Sequence, residues 1–245
     1  MGINDNGFIR GLVGPLVNRK VGNKNYVQSR PYRVKQTDHT KRAGKDFGNV
    51  SRAGAMIRMC FGEIHQDLHD GQMCNRLNRQ IYRAIKTNLD GEKGSRTLSN
   101  CVLDRLVNFQ FNENCHMQDY LFIDPVISLN KKKDLKISFP EFDLKSALVL
   151  PEKCNAVVFK FKALSFDFDE LEPKEINDAE WEYDTKYREQ AIPARTLTIK
   201  CGDFVGTSIF VGFTMLYLQK DSRRSNVLNE IDCNPASILA AFQIA

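Results

Sequence analysis

His65 and His69 stand four residues apart, and their types and spacing suggest metal chemistry more readily than any other pair in the chain. On a helix an i, i+4 pair shares one face, and Cys60 and Cys74 are close in sequence, so zinc would have four candidate ligands. The metalloprotease pattern, however, puts a glutamate directly after the first histidine to serve as general base, and position 66 is Gln. Cys60 and Cys74 also lack the spacing of a zinc finger. The expectation is an ordinary helix surface, with no metal centre and no cofactor.

Cys115-His116 sets a nucleophile beside a base, but neighbours in an extended segment point to opposite faces and cannot hydrogen-bond to each other. Cys201-Gly202-Asp203 has no histidine nearby, and His39 lies in the basic N-terminal stretch. Asp167 and Asp169 alternate as calcium ligands do. Phe168 separates them and no turn glycine follows, so the EF-hand pattern is missing. Distant carboxylates can converge in any fold, as in a glycosidase, but no residue here singles out such a pair. No catalytic residue is expected, and the chain reads as a non-enzyme.

Five glycines (Gly2, Gly7, Gly11, Gly14, Gly22) punctuate the opening residues. They do not form G-x-x-x-x-G-K-[ST] and do not open a helix after a buried strand, so they read as turn residues and not as a phosphate cradle.

Charge is the strongest pattern. Residues 1–58 carry twelve lysines and arginines against three aspartates, a net +9, whereas residues 167–189 carry ten carboxylates against three cations, a net −7. The basic stretch also holds Phe8, Tyr26 and Tyr32, and cations interleaved with rings are what single-strand nucleic-acid binders use. No helix-turn-helix, RNA-recognition or zinc-finger signature accompanies them. Alternatively, the basic end of one copy meets the acidic segment of another, a head-to-tail contact that closes into rings or runs on as filaments. Arg19, Lys20, Lys24, Arg30 and Arg33 would then face Asp169, Glu170, Glu172 and Glu175 of a neighbouring copy. A third reading leaves both segments as solvated faces. A homo-oligomer is the expectation, with nucleic acid as the alternative partner.

These segments need elements to hold them. With 245 residues, 42% hydrophobic and 27% charged, the chain can bury a sizeable core in one large domain or two small ones. Its longest apolar runs, 208–218 and 238–245, are too short to span a bilayer. Met1-Gly2-Ile3-Asn4-Asp5-Asn6 lacks the charged start and apolar core of a secretory signal, and Asn6 stands where myristoylation needs Ser or Thr. Seven scattered cysteines without a C-x-x-C pair read as reduced, mostly buried thiols, so a cytoplasmic location is expected.

Residues 14–31 read as a hairpin turning at 22–25, giving a basic Gly-rich arm over 1–36. Phe47, Val50, Gly54, Ile57, Met59, Phe61 and Ile64 recur at helical steps, with Thr37 or Asp38 as cap. Met73, Leu77, Ile81 and Ile85 repeat every fourth residue, with Arg76, Arg79, Arg83 and Lys86 on other faces. A helical segment thus covers 37–95, closing in a linker at 90–95, and a short helix is expected near 98–106. The remainder, 96–245, reads as an antiparallel β-sandwich because its strands (108–111, 120–123, 135–139, 156–168, 196–200, 207–218, 239–244) are separated by turns and not by helices. In 156–168 the alternation shifts from Val157, Phe159 and Phe161 to Leu164, Phe166 and Phe168, as in a bulged strand. The acidic stretch 167–189 is expected to be a surface loop. The whole is α+β, a sandwich preceded by the arm and a helical pair.

The run Gly11-Leu12-Val13-Gly14-Pro15-Leu16-Val17, then Gly22-Asn23-Lys24-Asn25-Tyr26-Val27-Gln28-Ser29-Arg30-Pro31, with Thr37, Arg42 and Phe47 following at five-residue steps, resembles the opening of an uncharacterised bacterial family. That family carries a domain of unknown function: a Gly-rich hairpin ending in Arg and Pro, a helical segment, then a β-rich part. The likeness covers about fifty residues by motif and the remainder by layout only. Pro15 and Asn18 depart from the family's usual glycine pattern. The resemblance implies the layout and no activity.

Overall fold

A computed structural model describes residues 2–30, 35–88, 91–99, 101–185, 191–202 and 204–244. The chain divides into two compact units, Met1–Lys41 and Arg42–Ala245.

The N-terminal unit is a four-stranded antiparallel meander of β1 (Gly2–Asp5), β2 (Phe8–Val13), β3 (Leu16–Val21) and β4 (Lys24–Ser29). Each connection is two residues long: Asn6-Gly7, Gly14-Pro15 and Gly22-Asn23. Asn6 and Gly7 both have positive φ (50° and 83°), while Gly14 (55°) and Gly22 (58°) do so as first turn residues. These are the mirror-image turns whose twist matches that of the flanking strands, and this explains why glycine recurs here. The expected hairpin is therefore half of a larger sheet, because Gly7 and Gly14 join strands and do not merely interrupt them. Residues 31–34, with Pro31 and Arg33, lie outside the described residues.

The helix α1 (Asp38–Cys60), which belongs to the larger unit from Arg42 onward, is capped by Thr37, whose Oγ1 accepts the Thr40 N–H at 3.3 Å. It is followed by α2 (Gly62–His65) and α3 (Met73–Ile85). Strands β5 (Phe109–Gln110), β6 (Val126–Leu129), β7 (Leu135–Phe139) and β8 (Phe142–Asp143) precede a one-turn α4 (Leu144–Ala147). Then come β9 (Ala156–Asp167), β10 (Glu172–Asp184), β11 (Ala191–Ile192), β12 (Arg195–Ile199), β13 (Ser208–Lys220), β14 (Ser225–Val227) and β15 (Ala236–Gln243). A central antiparallel sheet runs β10-β9-β13-β15-β5, with β14 on the end of β13, and a second sheet runs β12-β7-β6. The fold is α+β and mainly antiparallel.

Both faces of the central sheet are covered. Val157, Phe159 and Phe161 of β9 and Phe213 and Met215 of β13 pack with Leu135, Ile137 and Phe139 of the second sheet. The Phe139 ring centroid lies 5.6 Å from Phe159 and 5.4 Å from Trp181. On the other face Leu164, Phe166 and Phe210 pack with Ile57, Phe61, Ile64, Leu77 and Ile81 of the helical layer. The expected bulge in β9 is absent, since its register with β13 runs unbroken from Ala156 to Phe166. Odd positions face one layer and even positions the other, and both are buried, so what looked like a phase shift is one strand read from two sides. The register does shift in β10, between Pro173 and Glu175.

Four further expectations change. The acidic stretch is no surface loop: β10 is a thirteen-residue edge strand paired along its length with β9, and only 186–190 lies outside the described residues. A charged edge strand resists pairing with further strands, which accounts for its composition. Residues 91–96 are not a free linker, because the buried Asp46 carboxylate accepts the Gly94 N–H at 2.8 Å and the Arg96 N–H at 3.3 Å. Residues 120–123 form no strand, only an isolated bridge from Leu121 to Leu148. The short helix near 98–106 is a single 3-10 turn, Asp104–Leu106.

Candidate functional site

The N-terminal sheet is almost all surface. Ile3, Ile9, Val13, Leu16, Val21, Tyr26 and Val27 are exposed by 41–64%, and Asn18 is the one buried residue described in β1–β4. Of the cations expected to contact a partner, Arg19, Lys24 and Arg30 are exposed. Arg19 pairs across the strands with Tyr26, and Val21 with Lys24. Lys20 is half-buried, its ammonium 4.2 Å from the centroid of the Phe8 ring, a contact that also shields Phe8. Arg10 is engaged by Asp5 at 3.0 Å. Arg33 lies outside the described residues.

The expected acidic counterpart is only partly free. Lys174 draws in Glu170 at 2.5 Å, Glu172 at 3.7 Å and Asp167 at 3.8 Å. Asp169 accepts the Thr97 hydroxyl at 2.7 Å, and Glu175 accepts the Asn177 amide at 2.6 Å. Further along β10, Asp178 and the α2 residue Glu63 hold the buried Lys162 ammonium, each at 3.4 Å, and Glu182 holds Lys220 at 2.5 Å.

The histidine pair does meet, though not by sharing a helix face. The α2 helix ends at His65, and Gln66 and Asp67 both take left-handed backbone (φ 51° and 57°), folding Asp67 and His69 back beside His65. Ligand atoms of His65, Asp67 and His69 come within 4.8 Å of one another. His65 is 4% exposed and not on the surface, because the turn and the Phe111 ring, centroid 5.4 Å away, enclose it. Its Nδ1 accepts the Asp67 N–H at 3.1 Å, which puts the proton on Nε2 to donate to the Arg58 carbonyl at 3.1 Å. Neither nitrogen keeps a lone pair for a metal. The residues do not fit a metal centre; His65 fastens a strained turn. Burial lowers its pKa.

Cys115 and His116 part company, the thiol fully buried and the imidazole exposed. All seven cysteines are free thiols, and burial pushes Cys101 and Cys201 up to about 11. Sequence reasoning set Arg76 and Arg79 on a helix face without a role and did not single out Arg105. The structure gathers all three around one cleft, a signal that no spacing carries because Arg105 arrives from another element. Among the described residues no helix is long and apolar enough to cross a membrane. No protein-family model, curated protein or solved structure matches this chain.

Proposed function

We propose that the chain is a non-enzymatic interaction protein that associates with further copies of itself through the N-terminal sheet. The observation that carries this reading is the seven exposed apolar side chains of β1–β4, which the register divides between the two faces of the sheet, Leu16 and Val27 on one and Val21 and Tyr26 on the other. Sheets of this size gain stability by burying a face against another layer. Each such side chain contributes roughly 1.5–3 kcal/mol when fully buried, whereas an exposed ion pair contributes about 0–1 kcal/mol. Apolar contact therefore supplies affinity. The basic residues Arg19, Lys24 and Arg30 supply orientation towards a neighbour's acidic β9–β10 edge, a pairing of unlike surfaces that propagates into a ring or filament.

Light scattering coupled to size-exclusion chromatography, at low and high salt with absorbance at 260 nm, tests it. The full chain is expected to elute as a salt-resistant oligomer free of nucleic acid. Deleting residues 1–34, or replacing Leu16 and Val27, exposed on one face of the sheet, together by Gln, is expected to give a monomer. An oligomer of unchanged size in both variants refutes the reading. A monomer that carries nucleic acid and sheds it in salt would move the assignment to a polyanion partner.

A further inference from the structure

The face of α3 away from the core carries Arg76, Arg79 and Gln80 at i, i+3 and i+4, one continuous patch on a helix. Opposite it stand Arg105 from the 3-10 turn, Asn108 and Gln110 around β5, and His116 and Gln118 beyond, enclosing a cleft of about 400 Å³. Arg76 forms its floor and is held in place. Its guanidinium donates to Asp70 and, at 2.9 Å, to the Gln110 carbonyl, lies 2.9 Å from the Glu113 carboxylate and sits 5.1 Å over the Phe109 ring. Arg79 and Arg105 differ: both are exposed, and neither has a carboxylate within 4.0 Å among the described residues. Among the described residues Glu113 is the one acidic side chain lining the cleft, and Arg76 already engages it.

We propose that this cleft binds a phosphate group, with Arg79 and Arg105 as its ligands. A guanidinium offers forked donors that match phosphate oxygens, and two uncompensated ones at one opening favour a dianion. The volume falls within the range of small-molecule sites, roughly 300–1,000 Å³, so a phosphate ester of nucleotide size fits with the amides of Gln80 and Gln118 at hand. Arg76 is a positioning residue: tied to Asp70 and stacked on Phe109, it keeps the floor polar and fixed. All of its lining residues belong to the larger unit, and the proposal stands whether or not the N-terminal sheet self-associates.

Calorimetric titration of the full chain with inorganic phosphate, a nucleoside monophosphate and a short single-stranded oligonucleotide tests the proposal. Arg79→Ala and Arg105→Ala are each expected to weaken phosphate and nucleotide by about tenfold or more, since each removes charged hydrogen bonds. Arg83→Ala, on the same helix but outside the cleft, is expected to bind like the parent. Tighter binding of the oligonucleotide that is also lost in Arg79→Ala would identify the phosphate as a nucleic-acid backbone. The nucleotide-sized ligand would then be overturned and the phosphate site kept. No binding of any probe at millimolar concentration, or equal binding by the parent and both arginine variants, overturns the site.

Discussion

Replacing His65 by Leu separates a structural histidine from a metal ligand. The imidazole satisfies the Arg58 carbonyl and the Asp67 N–H, each at 3.1 Å, in a position 4% exposed. Leucine fills similar space but leaves both backbone groups unpaired, at about 1–3 kcal/mol each. Some recovery by water leaves a net loss of about 2–4 kcal/mol. Urea unfolding reads this directly, and its pH dependence adds a second signature. Burial depresses the His65 pKa first of all; the hydrogen bond to the Arg58 carbonyl and the exposed Asp67 carboxylate, 3.8 Å away, act against it, repulsion from His69 and the Arg58 guanidinium adds to it, and the net shift is downward. The folded imidazole therefore stays neutral where the unfolded chain, titrating near pH 6.5, takes up a proton. Stability from this group is complete above about pH 6.5 and is lost as pH falls towards the lowered folded pKa, by at most about 1.4 kcal/mol per pH unit. His65→Leu should be less stable at pH 7.5 and lose stability less steeply between pH 7 and 5. Zinc should raise the melting temperature of neither protein. Equal stability and equal pH slopes in parent and variant, or a melting temperature raised by zinc only in the parent, would refute the reasoning.

Three other positions test how the layers are joined. A Cβ at Gly212 would stand 2.6 Å from two Phe61 ring carbons and 3.3 Å from Ile64 Cγ1, so Gly212→Ala must push α2 off the sheet. The expected cost is about 1–3 kcal/mol, read as a lowered thermal midpoint, and an unchanged midpoint would contradict this packing. Glu63→Gln removes the partner of Lys160 at 2.6 Å and one of two partners of buried Lys162. Because Glu63 is largely exposed, only about 1 kcal/mol should be lost by urea unfolding, and a loss several times larger would show that solvent does not screen the network. Burial opposes ionisation of Asp70, but Arg76 and the backbone N–H groups of Glu113 and Gln72 outweigh it and hold the pKa below the usual value. Its contribution is complete above about pH 3.9 and is lost as pH falls through that lowered pKa, so Asp70→Asn should flatten the acid limb and cost about 1.5–3 kcal/mol at pH 7.

What the sequence made legible follows from which signals are local. Met73, Leu77, Ile81 and Ile85 face the core of α3 as their spacing requires, and Thr37 caps α1. The strand at 135–139 coincides with β7 because alternation suits a sheet with one covered face. In β9 both faces are covered, so alternation disappears and imitates a bulge. β10 reads as a loop for the opposite reason: its carboxylates are an edge-strand device and resemble loop composition. Phe47 and Met59 fit the helical period of α1 yet are 58% and 65% exposed. The histidine pair meets although its spacing implies a shared helix face, because two left-handed residues, Gln66 and Asp67, bring it together. The arginine cleft needs Arg105 beside α3, a long-range pairing that no local pattern encodes.

The charge separation that dominates the sequence thus divides unequally once folded. Many of the carboxylates of 167–184 are committed within their own unit, to Lys174, Lys162 and Lys220 and to neighbouring hydroxyl and amide groups. A partner that approached β10 through charge alone would have to displace these pairs, exchanging one exposed ion pair for another at little net gain. The basic sheet is not committed to the same degree, and its exposed apolar residues offer the area that the proposed association would bury. Association driven by the sheet should therefore survive salt that screens the charges, with salt slowing the encounter more than it weakens the complex. Stopped-flow light scattering after dilution into low and high salt separates the two effects. An association rate that falls while dissociation holds steady fits steering by charge over apolar affinity, whereas dissociation accelerated in proportion to salt would place the affinity in the ion pairs.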